Sequence, residues 1–133
     1  ESLFVSIHQN QYTEPEYFGA QMFYTTNNPG NFKLAQIMQE CFAELQPEND
    51  REIKLIDNDL YLFMNTQQLA VLAECGFLSN TNDAANLSDS EYQKKVAFTI
   101  YKGIMKYYGA ADTTDVKVTG DENGETKDIL HMQ

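Results

Sequence analysis

Two side chains in this sequence are placed to do chemistry, His8 and Glu74, because each closes a short apolar run. Ser2-Leu3-Phe4-Val5-Ser6-Ile7 leads into His8-Gln9-Asn10, and Ala70-Val71-Leu72-Ala73 leads into Glu74-Cys75-Gly76. Short runs of this kind read as strands, and α/β folds gather their ligands at the C-terminal edge of the sheet. An imidazole delivered there can hold zinc, or it can be a hydrogen-bonded structural histidine. A carboxylate that ends a buried strand needs a partner, since an unpaired buried charge is costly. Glu74 therefore reads as a metal ligand, as a general base, or as half of a buried pair with Arg51, the single arginine in the sequence. Gly76 beside it lets backbone or substrate approach closely. Cys75 with His8 would make a thiol hydrolase on paper, but nothing else in the sequence supports one. Gly-rich phosphate loops, Gly-x-Ser-x-Gly and His-Glu-x-x-His are absent.

The elements that must carry these residues alternate between strand and helix. Ala20–Tyr24 alternates and reads as a second strand, followed by a turn at Thr25-Thr26-Asn27-Asn28-Pro29-Gly30. Asn31 is a candidate cap for the next element. Leu34, Ile37, Met38, Cys41, Phe42 and Leu45 form one apolar stripe, which predicts a helix over about 32–45. Leu60–Met64 reads as a short strand or a turn of helix. Ser88-Asp89-Ser90-Glu91 fits a capping box. Behind it Tyr92, Val96, Ile100, Ile104 and Tyr108 predict a long helix over about 90–108, closed by Gly109. The alternation implies an α/β layer fold. Residues 109–133 turn acidic and are expected to be a mobile tail, or a weak hairpin pairing Val116–Thr119 with Ile129–Leu130.

A chain of 133 residues with 42% apolar residues suits one domain with a real core. Its formal charge of −11 argues against a nucleic-acid binder and against adhesion to anionic membranes. Cys41 and Cys75 are too few for a disulfide scaffold and read as buried thiols. No apolar run approaches the ~20 residues of a membrane span. The sequence opens at Glu1, without Met, and enters a strand almost at once, so a truncated chain is expected.

Taken with what lies between them, the two sites resemble the zinc-dependent N-acetylmuramoyl-L-alanine amidases of the type 3 family. The similarity runs in order through Phe4–Asn10, Gly19–Tyr24, Leu34-Ala35, Asn49–Lys54, Ala70–Asn80, Leu87, Tyr92-Gln93 and Ile100–Ile104. Gly19-Ala20-Gln21-Met22-Phe23-Tyr24 and Ile100-Tyr101-Lys102-Gly103-Ile104 look most like the germination-specific, spore-cortex branch. The resemblance implies a twisted mixed sheet flanked by helices, with residues 1–108 as the C-terminal part of the catalytic domain. It also implies hydrolysis of the amide between N-acetylmuramic acid and L-alanine of the stem peptide, outside the cytoplasm at the wall or spore cortex. Family zinc is held by two His and one Glu, and a second Glu is the general base. Carried over, His8 matches the second zinc His and Glu74 the catalytic Glu, while Asn10 and Arg51 match positions near the substrate cleft.

The family's first His, in an Asp-Pro-Gly-His-Gly-Gly-type segment, and its ligand Glu are missing here, and the only other histidine is His131. Leu69 replaces the usual Pro, and Asp83 approximates the acidic residue usual after Ser-Asn. The expectation is a peptidoglycan hydrolase whose sheet and zinc site are incomplete in this chain, which would be inactive alone. The expected partners are peptidoglycan or muropeptide and an activating protein. The other reading is a non-catalytic wall- or partner-binding remnant of the same fold.

Overall fold

The computed structural model describes residues 2–10, 15–56 and 65–109. Its elements run β1 (Leu3–Asn10), β2 (Gln21–Tyr24), α1 (Asn31–Leu45), β3 (Lys54–Leu55), β4 (Leu69–Phe77), α2 (Thr81–Ser88) and α3 (Ser90–Tyr107). The strands form one sheet in the order β1-β4-β2-β3. β1 lies parallel to β4, β2 antiparallel to β4, and β3 parallel to β2. This is the mixed sheet expected. Leu60–Met64, the acidic segment from residue 110 onward with its hairpin, and His131 lie outside the described residues.

β4 is central because its sequence, Leu-Ala-Val-Leu-Ala-Glu-Cys-Gly-Phe, leaves neither face of an extended segment to water. Alternation sends Leu69, Val71, Ala73 and Cys75 into the main core with Leu3, Val5 and Met22. The opposite face carries Ala70 and Leu72, in a smaller cluster with Ile56, Phe4 and Phe23. α1 and α3 cover the first face. α1 buries Leu34, Met38, Cys41 and Phe42 of its predicted stripe, with Ala35 besides, while Ile37 and Leu45 are half-buried, and α3 buries Val96, Ile100 and Ile104. The two helices touch at Gly103, where an added Cβ would stand 2.6 Å from Met38 Sδ. Any side chain there would require the Met38 thioether to shift.

Several local readings are corrected. Asn31 does not cap α1: Gly30 holds the N-cap position without a side-chain bond, and Asn31 is the first helical residue. Its buried amide instead donates to Thr25 O and Oγ1 and accepts from Ala70 N at 2.8 Å, tying the turn to β4. The N-cap of α3 is Asp89, which accepts from Glu91 N, while Ser88 closes α2 by donating to the carbonyls of Ala84 and Ala85. A serine this late in a helix gains more from its own preceding carbonyls than from the next helix. β1 runs through Asn10 and β4 through Phe77, so His8 and Glu74 lie inside strands rather than just beyond them.

Candidate active site at the ends of the parallel strands

His8 and Glu74 are direct neighbours across the parallel pair, and Glu74 is also opposite Gln21 of β2. Strand alternation puts Ser6, His8, Leu72, Glu74 and Gln21 on the face away from α1 and α3. Just beyond, the register shifts: Asn10 faces Phe77, so β4 carries one extra residue after Glu74. A bulge of this kind re-aims side chains and is common beside active sites. It is built on Gly76, whose φ of +156° and lack of Cβ allow Asp83 to close in. One Asp83 oxygen, Oδ2, accepts from Gly19 N at 2.8 Å and from Phe77 N at 2.9 Å. Asp83 thus pins the segments that flank Glu74 on either side.

Glu74 is half-buried, and its Oε2 is buried with no hydrogen-bond partner among the described residues. Burial raises its pKa above the ordinary carboxylate value, against a smaller lowering by His8. A buried carboxylate oxygen without a donor is a strong proton acceptor, because ionisation there is poorly solvated. His8 Nε2 is hydrogen-bonded to Ser6 Oγ at 2.7 Å, which fixes the ring; among the described residues its other nitrogen has no hydrogen-bond partner.

Of the alternatives for Glu74, the buried pair with Arg51 does not form among the described residues. Arg51 Nε donates to Phe18 O at 2.7 Å and Nη1 to Gln21 Oε1 at 3.0 Å. Its guanidinium lies 4.4 Å from the Phe77 ring centroid and 5.5 Å from that of Tyr17. Arg51 therefore frames the site, joining the Tyr17–Phe18 segment to β2 and to the end of β4. Asn10 closes β1 opposite Phe77. Cys75 is no nucleophile: it belongs to the core on the helix side, and burial pushes its thiol up to about 12. Ser6, Gln21 and the anchoring role of Asp83 escaped the sequence reading. Period-two spacing from His8 would have flagged Ser6; Gln21 and Asp83 needed the strand pairing.

One imidazole and one orphaned buried carboxylate oxygen on the same face fit part of a metal-assisted hydrolytic site. Among the described residues no group of three His, Cys, Asp or Glu side chains gathers to complete it. Residues 1–106 match the family described as N-acetylmuramoyl-L-alanine amidase. The chain belongs to that family. The germination-specific N-acetylmuramoyl-L-alanine amidase of Bacillus subtilis is 38% identical over 106 residues, covering 80% of this chain and 44% of that protein. Among solved structures, the CwlD amidase from Clostridioides difficile, in complex with the GerS lipoprotein, is 41% identical with a TM-score of 0.76, over 80% of this chain and 54% of that one. The catalytic domain of the amidase CwlV from Bacillus (Paenibacillus) polymyxa is 31% identical with a TM-score of 0.71, over 81% and 58%. This amidase chain thus spans about half the length of these relatives.

Proposed function

We propose that the whole protein is a peptidoglycan hydrolase that cleaves the amide between N-acetylmuramic acid and L-alanine. In this reading His8 is one zinc ligand, the remaining ligands lie outside the described residues, and Glu74 is the general base. Zinc, when bound, would supply Lewis-acid polarisation of the amide carbonyl and acidify water at an open coordination position. Glu74 takes the proton of the attacking water at its uncommitted Oε2. It returns that proton to the alanine nitrogen as the C–N bond breaks. Ser6 holds the His8 ring, Arg51 is bonded to Gln21 at the rim, and in this reading Asn10 and Arg51 contact substrate, as the family resemblance implies. The observation that supports the reading is the buried Glu74 Oε2, without a donor among the described residues, on the residue directly across from His8.

The germination-specific relative supports action outside the cytoplasm, at the wall or spore cortex. The CwlD neighbour, solved with a lipoprotein, supports an accessory protein partner. The test is Glu74→Gln in the full-length protein, with zinc content, melting temperature and muropeptide amide cleavage measured together. Fold and zinc should be retained while turnover falls on the order of a hundredfold or more. Near-normal turnover per folded molecule would remove Glu74 from the chemistry.

A further inference from the structure

His8 and Glu74 stand side by side on one face of the sheet, yet among the described residues no hydrogen bond or ion pair joins them. Neighbouring strands lie about 4.8 Å apart, so ring and carboxylate are within reach of each other. A histidine beside a half-buried carboxylate ordinarily closes on it, because a charge-assisted hydrogen bond is roughly twice as strong as a neutral one. Here the ring turns along its own strand instead. Its Nε2 lies 2.7 Å from Ser6 Oγ, and Ser6 is two residues back on the same face of β1.

Ser6 is out of character for its surroundings. It stands opposite Leu72, and on this face Phe4, Ala70, Leu72 and Phe23 make an apolar cluster with Ile56. A hydroxyl in such a place costs free energy unless it is hydrogen-bonded. Its side-chain partner among the described residues is the His8 ring.

The same bond decides which ring nitrogen can meet a metal. With Nε2 taken by Ser6, a cation reaches His8 through Nδ1, which must then present a lone pair. A neutral imidazole carries one N–H, so that proton sits on Nε2 and is donated to Ser6 Oγ. We infer that Ser6 is a positioning residue with two effects at once: it fixes the His8 tautomer that presents Nδ1 to the metal, and it withholds the Nε2 proton from Glu74. The inference rests on the zinc reading above and adds how one hydroxyl keeps ligand and base from binding each other. Without Ser6, the freed Nε2–H finds the Glu74 carboxylate. That contact turns the ring and occupies the group that has to accept a proton from water.

The test uses the full-length protein with zinc alone as the probe. In the zinc-free wild type at about pH 8, where an ordinary histidine is neutral, proton–nitrogen correlation spectra of the ring should show His8 protonated at Nε2 and bare at Nδ1. Ser6→Ala should weaken zinc binding, read by chelator competition, about 10- to 100-fold, the usual cost of removing a group that orients a ligand histidine. Ser6→Thr keeps the hydroxyl and suits a strand, and it should recover most of that affinity. Adding Glu74→Gln to Ser6→Ala should recover part of it, because a neutral amide competes less well for the freed Nε2–H. The wild-type spectrum needs no variant, so the inference stays open to refutation even if Ser6→Ala unfolds. A wild-type ring protonated at Nδ1 would overturn it. A double variant no better than Ser6→Ala would overturn the part assigned to Glu74. Zinc affinity lost with His8→Ala but kept with folded Ser6→Ala would overturn the inference and leave the zinc reading intact. Affinity indifferent to His8→Ala would overturn the zinc reading, and the inference with it.

Discussion

Replacing Asp83 by Ala tests whether one buried carboxylate organises the catalytic end of the sheet. In the structure a single oxygen of Asp83 accepts from Gly19 N at 2.8 Å and from Phe77 N at 2.9 Å, and the side chain is only 8% exposed. Alanine leaves both N–H groups without a partner, each at a cost of about 1–3 kcal/mol. It also removes a negative charge from the first turn of α2, worth about 0.3–1 kcal/mol. The expected loss is therefore about 2–7 kcal/mol, large against the roughly 5–15 kcal/mol that holds a typical domain together. Asp83→Asn keeps one oxygen able to accept both bonds and gives up the charge, so it should cost only about 1–2 kcal/mol. Urea unfolding of the full-length protein reads both as shifts in midpoint at constant slope. Below the melting range, turnover per folded molecule should also fall for Asp83→Ala, because Gly19 and Phe77 flank the strands that present Gln21 and Glu74. An alanine variant within about 1 kcal/mol of wild type, or an asparagine variant as damaged as the alanine, would refute the argument.

Asn31→Ala strips the partner from the buried Ala70 N and removes both donors to Thr25, so a midpoint shift equivalent to about 2–4 kcal/mol is expected; a shift under about 1 kcal/mol would mean that water takes over these groups. Cys75 has its folded pKa raised from 9.0 to about 12 by burial. Because the raised group is the one in the folded state, the stability it contributes is whole below about pH 9 and is lost as pH climbs toward 12. Cys75→Ala should flatten that alkaline decline, and thiol labelling of the wild type near pH 8 should follow unfolding; rapid labelling of the folded protein would contradict the assignment. Glu74 follows the same sign: its raised pKa makes its contribution whole below the ordinary carboxylate range and lost as pH rises. Metal-free Glu74→Gln should therefore equal or exceed wild type in melting temperature at neutral pH, and a clear loss there would point to a donor for Oε2 in the full-length protein.

How much of this was legible in the sequence depends on the range over which each signal acts. α1 and α3 announce themselves because a buried stripe repeats every three or four residues in the same stretch of chain. The centre of β4 is legible as the apolar run Ala70–Ala73, but its continuation through Glu74 to Phe77 is set by pairing with β1 and β2. α2 was missed because Thr81–Ser88 has no stripe: it buries Asp83 and Leu87 alone. It is held by Asn80, which accepts from Asn82 N and Asp83 N, rather than by an apolar face. Two-residue β3 is set by pairing with β2, a contact with no local signature. At the site, His8 and Glu74 were visible as strand-end residues, whereas their direct opposition is a register, fixed only when both strands are in place. Asn31 was misread as a cap, and the alternative pairing of Arg51 with Glu74 failed, for the same reason: their partners Ala70, Phe18 and Gln21 lie far along the chain.

The bulge at Gly76 reconciles the two demands on β4. Strict alternation would send Phe77 to the helix side with Cys75. The extra residue instead sets Phe77 opposite Asn10, in step with His8 and Glu74. Phe77 is thereby free to lie under the Arg51 guanidinium, which in turn holds Phe18 O and Gln21. Asp83 fills the space a Gly76 side chain would need and takes the Phe77 N–H. The same irregularity that ends the apolar ladder of the core thus builds the rim of the site. That is why a strand buried on both faces can present a carboxylate at one end without opening the core behind it.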